Sequence, residues 1–244
     1  VKDIKRDIDQ MFVILPFEKE FYKKYDYNVH FVGHPLIDGI AGREQVSIEK
    51  FRKEHNLGHK EVIALLPGSR KQEITKMLSV MLSLVQNFPQ YQFVVAGAPS
   101  QSYEFYQEII GDSNVKFINN KTYDLLSISH AALVASGTAT LETALFKVPQ
   151  VVCYKGSNIS YQIAKRIITL KYISLVNLIM DREVVKELIQ NDFTKENLQY
   201  ELTRILESEH RQQLFLSYFD LEQKLGGKGA SAKTAKLIVT GLKK

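Results

Sequence analysis

A glycine turn followed by a hydroxyl side chain could bring a phosphate group close to the backbone. The segment 66–73 reads Leu-Pro-Gly-Ser-Arg-Lys-Gln-Glu and follows an apolar run, which predicts that a strand ends at Leu66 and a helix starts near Ser69. Ser69 and Gln72 have the spacing of a capping box, which would fix that helix start. Gly68 removes side-chain bulk where a ligand would approach the backbone.

Arg70 stands in the same segment and adds a positive charge in a planar fork suited to a diphosphate. A helix N-terminus at the carboxyl end of a parallel strand is a natural anion site, because its N–H groups lack partners and the helix dipole is positive there. Spacing alone leaves an ordinary strand-to-helix loop with a surface arginine as an equal alternative.

A second strand end, glycine turn and helix start are predicted in the segment 135–142, which reads Ala-Ser-Gly-Thr-Ala-Thr-Leu-Glu. Hydroxyl groups that could bond phosphate oxygens or the helix end stand at Ser136, Thr138 and Thr140. Glu142 lies about one turn into the helix, where a carboxylate could accept both hydroxyl groups of a ribose. The plainer interpretation makes Thr138 the N-cap and Glu142 a complement to the helix dipole.

Two such loops at one edge of a sheet favour a ligand more than either loop alone. Neither matches a Walker loop or a Gly-x-Gly-x-x-Gly fingerprint, and Ser136 lacks the Gly-x-Ser-x-Gly elbow, so a kinase, a dehydrogenase and an α/β-hydrolase are disfavoured. Asn177 is a third candidate because it stands in an apolar run, where a buried amide needs partners. Asn177 could therefore either hold a loop in place or contact a ligand, and the sequence leaves both roles open.

Alternating apolar strands and amphipathic helices must position these loops. Strands are predicted at Val62–Leu66, Gln92–Ala96, Val115–Ile118, Ala132–Ala135 and Gln150–Tyr154. Between the first two, apolar residues recur at the spacing of one helix face, at Ile74, Met77, Leu78, Met81, Leu82 and Val85. Apolar strands separated by helices indicate parallel pairing with both faces covered, so the sequence predicts an α/β fold with a doubly wound parallel sheet.

The two ends of the chain depart from this pattern. The first 42 residues predict a strand at Met11–Leu15, a helix from Phe17, a strand at His30–Val32 and then a glycine-containing connector. Helices are predicted at 197–225 and 230–242. The predicted organisation is 1–42 as the tail of a truncated α/β domain, 43–193 as the ligand-binding domain, and 194–244 as helices that pack on the N-terminal part or on a partner chain.

Composition excludes several classes of protein. Charged residues make up 24% of the chain and the net charge is only +5, which fits a folded protein and disfavours nucleic acid as a partner. The single cysteine, Cys153, lies in an apolar run and predicts a buried strand position. His55 and His59 are separated by Gly58, so no metal site is predicted. The longest apolar runs are too short for a membrane span.

Five segments occur in the order and spacing of one known family. They are Leu15-Pro16-Phe17-Glu18, Val32-Gly33-His34-Pro35, 66–70 with Glu73, 135–142, and 172–179. Together they resemble the lipid-A-disaccharide synthase family. The resemblance implies the C-terminal Rossmann-like domain of a GT-B type glycosyltransferase, which would join UDP-linked diacylglucosamine to diacylglucosamine 1-phosphate and release UDP. A catalytically silent UDP-sugar-binding module is the alternative, as is another UDP-sugar enzyme, an epimerase or a peptidoglycan glucosaminyltransferase.

The resemblance also implies roles for single residues. It places around the donor nucleotide-sugar Gly68, Ser69, Arg70, Glu73, Ser136, Gly137, Thr138, Glu142, Asn177 and Gln190. Arg70 would be the catalytic residue that stabilises the departing UDP. The family commonly has proline where this chain has Val176, which should loosen the loop before Asn177. No cofactor and no metal are implied, since the UDP-sugar is a substrate.

The expected surroundings follow from the same resemblance, which implies a cytoplasmic protein at the inner membrane of a Gram-negative bacterium. A basic cluster beside an apolar stripe, which could contact an anionic bilayer, consists of Lys165, Arg166 and Lys171 with Ile159, Ile163 and Ile167. A solvated helix face over a core stripe is the favoured alternative. A homodimer that exchanges C-terminal helices is also expected.

The family's N-terminal acceptor domain, with its presumed aspartate base, has no counterpart in this sequence, and Val1 is expected to mark a truncation or processing point. We therefore expect the 244-residue chain to bind UDP without transferring sugar, because the acceptor hydroxyl would lack its base. The measurement is UDP release from UDP-diacylglucosamine, with and without the upstream region. Robust turnover by the purified chain would contradict this expectation.

Overall fold

The computed structural model describes residues 1–156 and 171–242. They form two compact units, of which unit 1 comprises Val1–Glu44 with Ser217–Lys244, and unit 2 comprises Gln45–Leu216. Most of the predicted basic cluster, Lys165 and Arg166 with Ile159, Ile163 and Ile167, lies outside the described residues.

In chain order the strands are β1 (Phe12–Val13), β2 (His30–Phe31), β3 (Val62–Leu66), β4 (Gln92–Gly97), β5 (Lys116–Asn119), β6 (Ser129–Ala135), β7 (Gln150–Tyr154) and β8 (Glu187–Ile189). The α-helices of the described residues are α1 (Lys2–Asp7), α2 (Pro16–Lys23), α3 (Pro35–Ala41), α4 (Ile48–Glu54), α5 (Lys71–Leu82), α6 (Tyr103–Ile110), α7 (Thr122–Ile128), α8 (Thr138–Leu145), α9 (Leu175–Met180), α10 (Lys195–Leu206), α11 (Ser208–Lys224) and α12 (Ala230–Leu242). Short 3₁₀ turns lie at Val85–Asn87 and Gln190–Asp192.

Unit 2 is built on one parallel sheet with the strand order β5-β4-β3-β6-β7-β8. From β3 the chain proceeds to one edge through β4 and β5, and it then crosses to the other side for β6, β7 and β8. β3 and β6 are therefore the neighbours at which the connections diverge, and doubly wound folds bind ligands beyond the carboxyl ends of such strands. The predicted doubly wound α/β fold is confirmed.

Apolar side chains explain why these segments form this sheet. Every residue of the central strand β3 is buried, as expected for a strand that is covered on both faces. The predicted stripe on α5 is also buried, at Ile74, Met77, Leu78 and Met81. α5 ends at Leu82, and Val85 begins a separate 3₁₀ turn.

The predicted strands agree with the observed ones at their centres and differ at their ends. Cys153 is fully buried in β7, as predicted, and this burial raises the pKa of its thiol. β6 starts at Ser129, three residues before the prediction, because His130 and Ser129 give no apolar signal. β8 was not predicted, since three residues beginning with Glu187 show no apolar run. Its position at the sheet edge depends on pairing with β7.

Unit 1 contains β1 and β2, which pair in parallel and are joined by α2. The predicted connector at 33–42 is wrong, because residues 35–41 form the helix α3. His34 is the N-cap of that helix and its Nδ1 accepts a hydrogen bond from the Leu36 N–H at 3.2 Å. Pro35 follows at the first helical position, where its missing N–H costs nothing.

The end of the chain belongs to unit 1 as well. The Asp38 carboxylate accepts hydrogen bonds from the N–H groups of Gly229 at 2.6 Å and Ser231 at 3.0 Å, and these bonds lower the pKa of Asp38. The His34 N–H donates to the Leu225 carbonyl at 3.0 Å. The acid on α3 thus fixes the N-terminus of α12.

The predicted helix at 197–225 is two helices, because Glu207 takes an extended conformation between α10 and α11. α10 packs against β7, β6 and α5 and so belongs to unit 2. α12 packs against α3 within unit 1. Over the parts of the chain that the structure describes, no helix has the length and apolar character needed to cross a membrane.

A substitution of Gly97, at the end of β4, tests how tightly β4 packs against the side chains of the edge strand β5. A Cβ at this position would lie 2.4 Å from the Phe117 ring on β5, and that ring is held by Tyr103 and Tyr106. We expect Gly97→Ala to lower the free energy of unfolding by about 1–3 kcal/mol in urea denaturation, because the ring must move.

The matched control for Gly97→Ala is Gly58→Ala, since a Cβ on Gly58 meets nothing within 4 Å. Equal stability of the two variants would show that Phe117 accommodates the methyl group without cost. Adding Phe117→Leu to Gly97→Ala should recover part of the loss.

Candidate functional site

The loop after β3 closes around Gly68. This glycine has φ of +103°, and a Cβ there would lie 3.1 Å from the Glu73 Oε2, so other residues would be strained and crowded. The Ser69 carbonyl accepts hydrogen bonds from Ser100 Oγ at 3.2 Å and Gln101 Nε2 at 3.1 Å. The loop after β4 therefore holds the loop after β3.

The predicted capping box between Ser69 and Gln72 is wrong. α5 begins at Lys71 and its N-cap is Arg70, whose carbonyl accepts the Ile74 N–H at 2.9 Å. The Arg70 side chain makes no capping hydrogen bond to this helix. The first N–H groups of α5 thus have no partner within the helix and stay available for an anion.

Arg70 and Glu73 form an ion pair across the first turn of α5. The Arg70 Nη1 lies 2.9 Å from the Glu73 Oε1, and the arginine side chain is 83% exposed. A guanidinium has five N–H donors, so this bond leaves most of the fork for a second acceptor. Glu73 also lies beside Gly68, so it contacts the loop that precedes α5.

The loop after β6 brings a second helix N-terminus to the same edge. Gly137 is the N-cap of α8, and Thr138 is its first residue, so the interpretation of Thr138 as N-cap is wrong. Thr140 is fully buried and its hydroxyl donates to the Gly137 carbonyl at 2.8 Å. Its hydroxyl is therefore committed to the turn and does not face a ligand. Ser136 Oγ likewise donates to the Ile173 carbonyl at 3.1 Å.

Glu142 is the acidic side chain of this second loop. It lies beyond the first turn of α8, and Tyr123 Oη donates a hydrogen bond to its Oε1 at 3.0 Å. Burial raises the pKa of Glu142, and the hydrogen bond from Tyr123 opposes that shift. The carboxylate retains acceptor positions for further hydroxyl groups.

The two loops enclose one cavity of about 380 Å³, which is large enough for part of a nucleotide-sugar. It is lined by Leu66, Gly68, Ser69, Glu73, Ala96, Gly97, Ala98, Pro99, Thr122, Ala135, Ser136, Gly137, Thr138, Ala139 and Glu142. Seven predicted site residues are thus brought together. A second cavity of about 360 Å³ shares Pro99, Thr122 and Glu142 with the first and adds Asn120, Lys121, Tyr123 and Asp124.

Asn177 lies elsewhere and is fully buried in α9. Its Oδ1 accepts the N–H groups of Val184 and Val185, and its Nδ2 donates to the Val185 carbonyl and to Glu187 Oε1, all at 2.8–3.0 Å. Every hydrogen-bonding position of the amide is used, which is the loop-clamp alternative. The predicted contact between Asn177 and a donor sugar therefore needs correction, because the amide has no free group for it.

This clamp nevertheless supports the site. Glu187 accepts the N–H groups of Ile173 and Ser174 at 2.9 Å, and the Ile173 carbonyl holds Ser136. Val176, where the family has proline, is buried and lies within α9. Asn177 is thereby linked to the second loop through Glu187.

Gln190 follows β8 with φ of +53°, which is strained for a residue with a side chain. It is 92% buried, and its Nε2 has no hydrogen-bond partner among residues 1–156 and 171–242. An unpartnered buried amide on a strained backbone is typical of a binding residue, so Gln190 stays a predicted donor contact. Neither of the two cavities is lined by Gln190.

Sequence reasoning missed the residues that the loops after β4 and β5 contribute. Pro99, Thr122 and Tyr123 line the cavities, and Gln101 holds the first loop. None belongs to a motif, and their only signal is that they follow predicted strands of the same sheet. Over the described parts of the chain, no group of three or more His, Cys, Asp or Glu residues could hold a metal ion.

Comparison with known proteins identifies the family of this chain. The model of the lipid-A-disaccharide synthetase family matches residues 1–238. The chain belongs to this family. Curated lipid-A-disaccharide synthases are 37% identical in Syntrophus aciditrophicus, over 97% of this chain, and 35% identical in Coxiella burnetii, over 98%. The chain spans 64% of the length of each of these two relatives.

Solved structures of other proteins share the fold. The UDP-GlcNAc 2-epimerase from Neisseria meningitidis bound to UDP-GlcNAc aligns with a TM-score of 0.62 at 17% identity, over 95% of this chain and 61% of that one. The S. aureus MnaA–UDP structure aligns with a TM-score of 0.63 at 16% identity, over 96% and 60%. At these identities the likeness establishes the GT-B type fold.

Asn177→Ala tests the clamp. We expect it to lower the free energy of unfolding in urea by about 2–4 kcal/mol, because two N–H groups, a carbonyl and the Glu187 carboxylate lose buried partners. The control Asn197→Ala removes one exposed side-chain bond, from Nδ2 to the Asp192 carbonyl near the start of α10, and should cost below about 1 kcal/mol. A loss as small as that of the control would show that Asn177 is not a clamp.

Proposed function

We propose that this chain is the donor-binding portion of a lipid-A-disaccharide synthase. The complete protein would transfer diacylglucosamine from its UDP derivative to diacylglucosamine 1-phosphate, which yields the lipid A disaccharide and UDP. Family membership supports the reaction. Because the chain spans 64% of the length of a curated relative, we propose the whole activity for the complete protein.

One observation carries the proposal for this chain. Two helix N-termini border one cavity at the carboxyl ends of β3 and β6. Ser69 and Glu73 line it on either side of the start of α5, and Thr138 and Ala139 line it at the start of α8. Each helix N-terminus presents N–H groups and the positive end of a helix dipole, so a diphosphate placed between them would be bound from two sides. Arg70 stands at the N-cap of α5 and would add a bidentate positive group.

The same groups would serve the reaction. As the sugar–phosphate bond breaks, negative charge grows on the departing UDP, and donors that are already oriented stabilise it without reorganisation. Glu142, at the adjoining cavity, would accept the ribose hydroxyl groups. The structures of two proteins with this fold contain UDP or UDP-GlcNAc by name, which supports a nucleotide-sugar as the ligand.

The proposed partners are the two lipid substrates, with the protein at the inner surface of the inner membrane. Both substrates of the proposed reaction carry acyl chains, so the protein must meet them at a bilayer surface. A homodimer formed through the C-terminal helices is part of the same proposal.

Arg70→Ala tests the diphosphate site. We expect calorimetric titration with UDP to show binding weaker by about 1.5–3 kcal/mol, which is the range for a hydrogen bond to a charged group. The loss of binding free energy should be smaller for UMP than for UDP, because UMP carries only one phosphate.

Arg204→Ala is the matched control, since Arg204 pairs with Glu201 at 3.0 Å with the same i, i+3 spacing as Arg70 and Glu73. It should leave UDP binding unchanged. An unchanged isotherm for Arg70→Ala would remove Arg70 from the site, and no binding of UDP by the wild-type chain would overturn the proposed function.

A further inference from the structure

Tyr123 stands beside the proposed nucleotide site without belonging to any motif in the sequence. It lies on α7, in the segment that follows β5, whereas Glu142 lies on α8 after β6. Its Oη is 3.0 Å from Glu142 Oε1, and its ring packs on Phe146 with centroids 5.3 Å apart. The ring is thus fixed by one residue of the α8 segment while the hydroxyl contacts another.

We propose that Tyr123 is a positioning residue that orients the Glu142 carboxylate toward a ribose, and this inference rests on the proposed function. Glu142 lines both cavities, and Tyr123 lines only the second. A ligand that spans both would pass Glu142 at their junction. Under the proposed function, a nucleoside diphosphate whose diphosphate occupies the first cavity would place its ribose at this junction.

The chemistry of the pair fits this role. An ionised carboxylate has about four acceptor positions, and a ribose diol offers two donors. Tyr123 occupies one position on Oε1 and fixes the plane of the carboxylate, so the diol can be bound by the positions that remain. Without that bond the Glu142 carboxylate could rotate freely. Binding of the ribose would then also have to fix its orientation, at a cost in conformational entropy.

The same bond favours the ionised form of the carboxylate. Burial raises the pKa of Glu142, and the hydrogen bond from Tyr123 lowers it. The other ionisable side chains that line the two cavities are Glu73, Lys121 and Asp124. A protonated Glu142 has one acceptor oxygen fewer, so ribose recognition should be present above the pKa of Glu142 and should be lost as the pH falls through it.

The experiment compares UDP with 2′-deoxy-UDP in calorimetric titrations of the 244-residue chain. Both ligands carry the same diphosphate, so the ratio of their affinities reports the ribose alone. We expect the wild-type chain to prefer UDP by about tenfold, and Tyr123→Phe to reduce that preference to about threefold. In Tyr123→Phe the preference should also disappear at a higher pH than in the wild type, because the bond that lowers the pKa of Glu142 is gone.

A double-mutant cycle separates positioning from direct contact. In the Glu142→Gln background, adding Tyr123→Phe should change UDP affinity by less than about twofold, because Tyr123 acts through Glu142. Tyr200→Phe is the control, since Tyr200 is 63% exposed on α10, and it should keep the wild-type ratio.

Each outcome is decisive. A wild-type ratio and pH profile in Tyr123→Phe would overturn this inference and leave the proposed function standing. If Tyr123→Phe changed UDP affinity equally in the wild-type and Glu142→Gln backgrounds, Tyr123 would contact the ligand directly and would not act by positioning Glu142. No binding of UDP by the wild-type chain would overturn both. If Tyr123→Phe does not fold, the wild-type ratio still tests Glu142, because a preference that is independent of pH contradicts its role.

Discussion

β3 and β6 lie side by side with Leu66 opposite Val134, so the two strands end at nearly the same level of the sheet. Each strand then turns at a glycine into a helix, and the residues that flank the start of α5 line the same cavity as the first residues of α8. A slip of one residue in this register would shift one loop by about 3.3 Å along the strand and separate the donors. The position of the proposed diphosphate site therefore depends on the pairing of two buried strands.

Charges in the site are balanced against each other before any ligand binds. Glu73 and Glu142 are acidic groups in a cavity that suits an anion, and each is bound by a donor, Arg70 and Tyr123 respectively. These bonds reduce the repulsion that a free carboxylate would exert on a phosphate. In the proposed site the acids would orient the loop and the ribose, while the helix N-termini and Arg70 would supply the positive potential.

Support for the second loop comes from an unexpected part of the chain. Ser136 is held by the Ile173 carbonyl, and Glu187 and Asn177 hold the segment that contains Ile173. The sequence left two roles open for Asn177, a ligand contact and a loop clamp. That distinction depends on which partners the fold brings to the amide, and spacing in the sequence does not contain them.

The sequence by itself determined five of the six strands of the large sheet, the buried face of α5 and the two glycine loops, because apolar periodicity and turn residues act locally. It also determined the family, through motifs in a fixed order. Only the tertiary structure decided where α5 begins, that residues 35–41 are helical, and that Tyr123 meets Glu142. Helix ends and contacts between loops depend on hydrogen bonds to residues distant in the chain, and these exist only after the strands have paired.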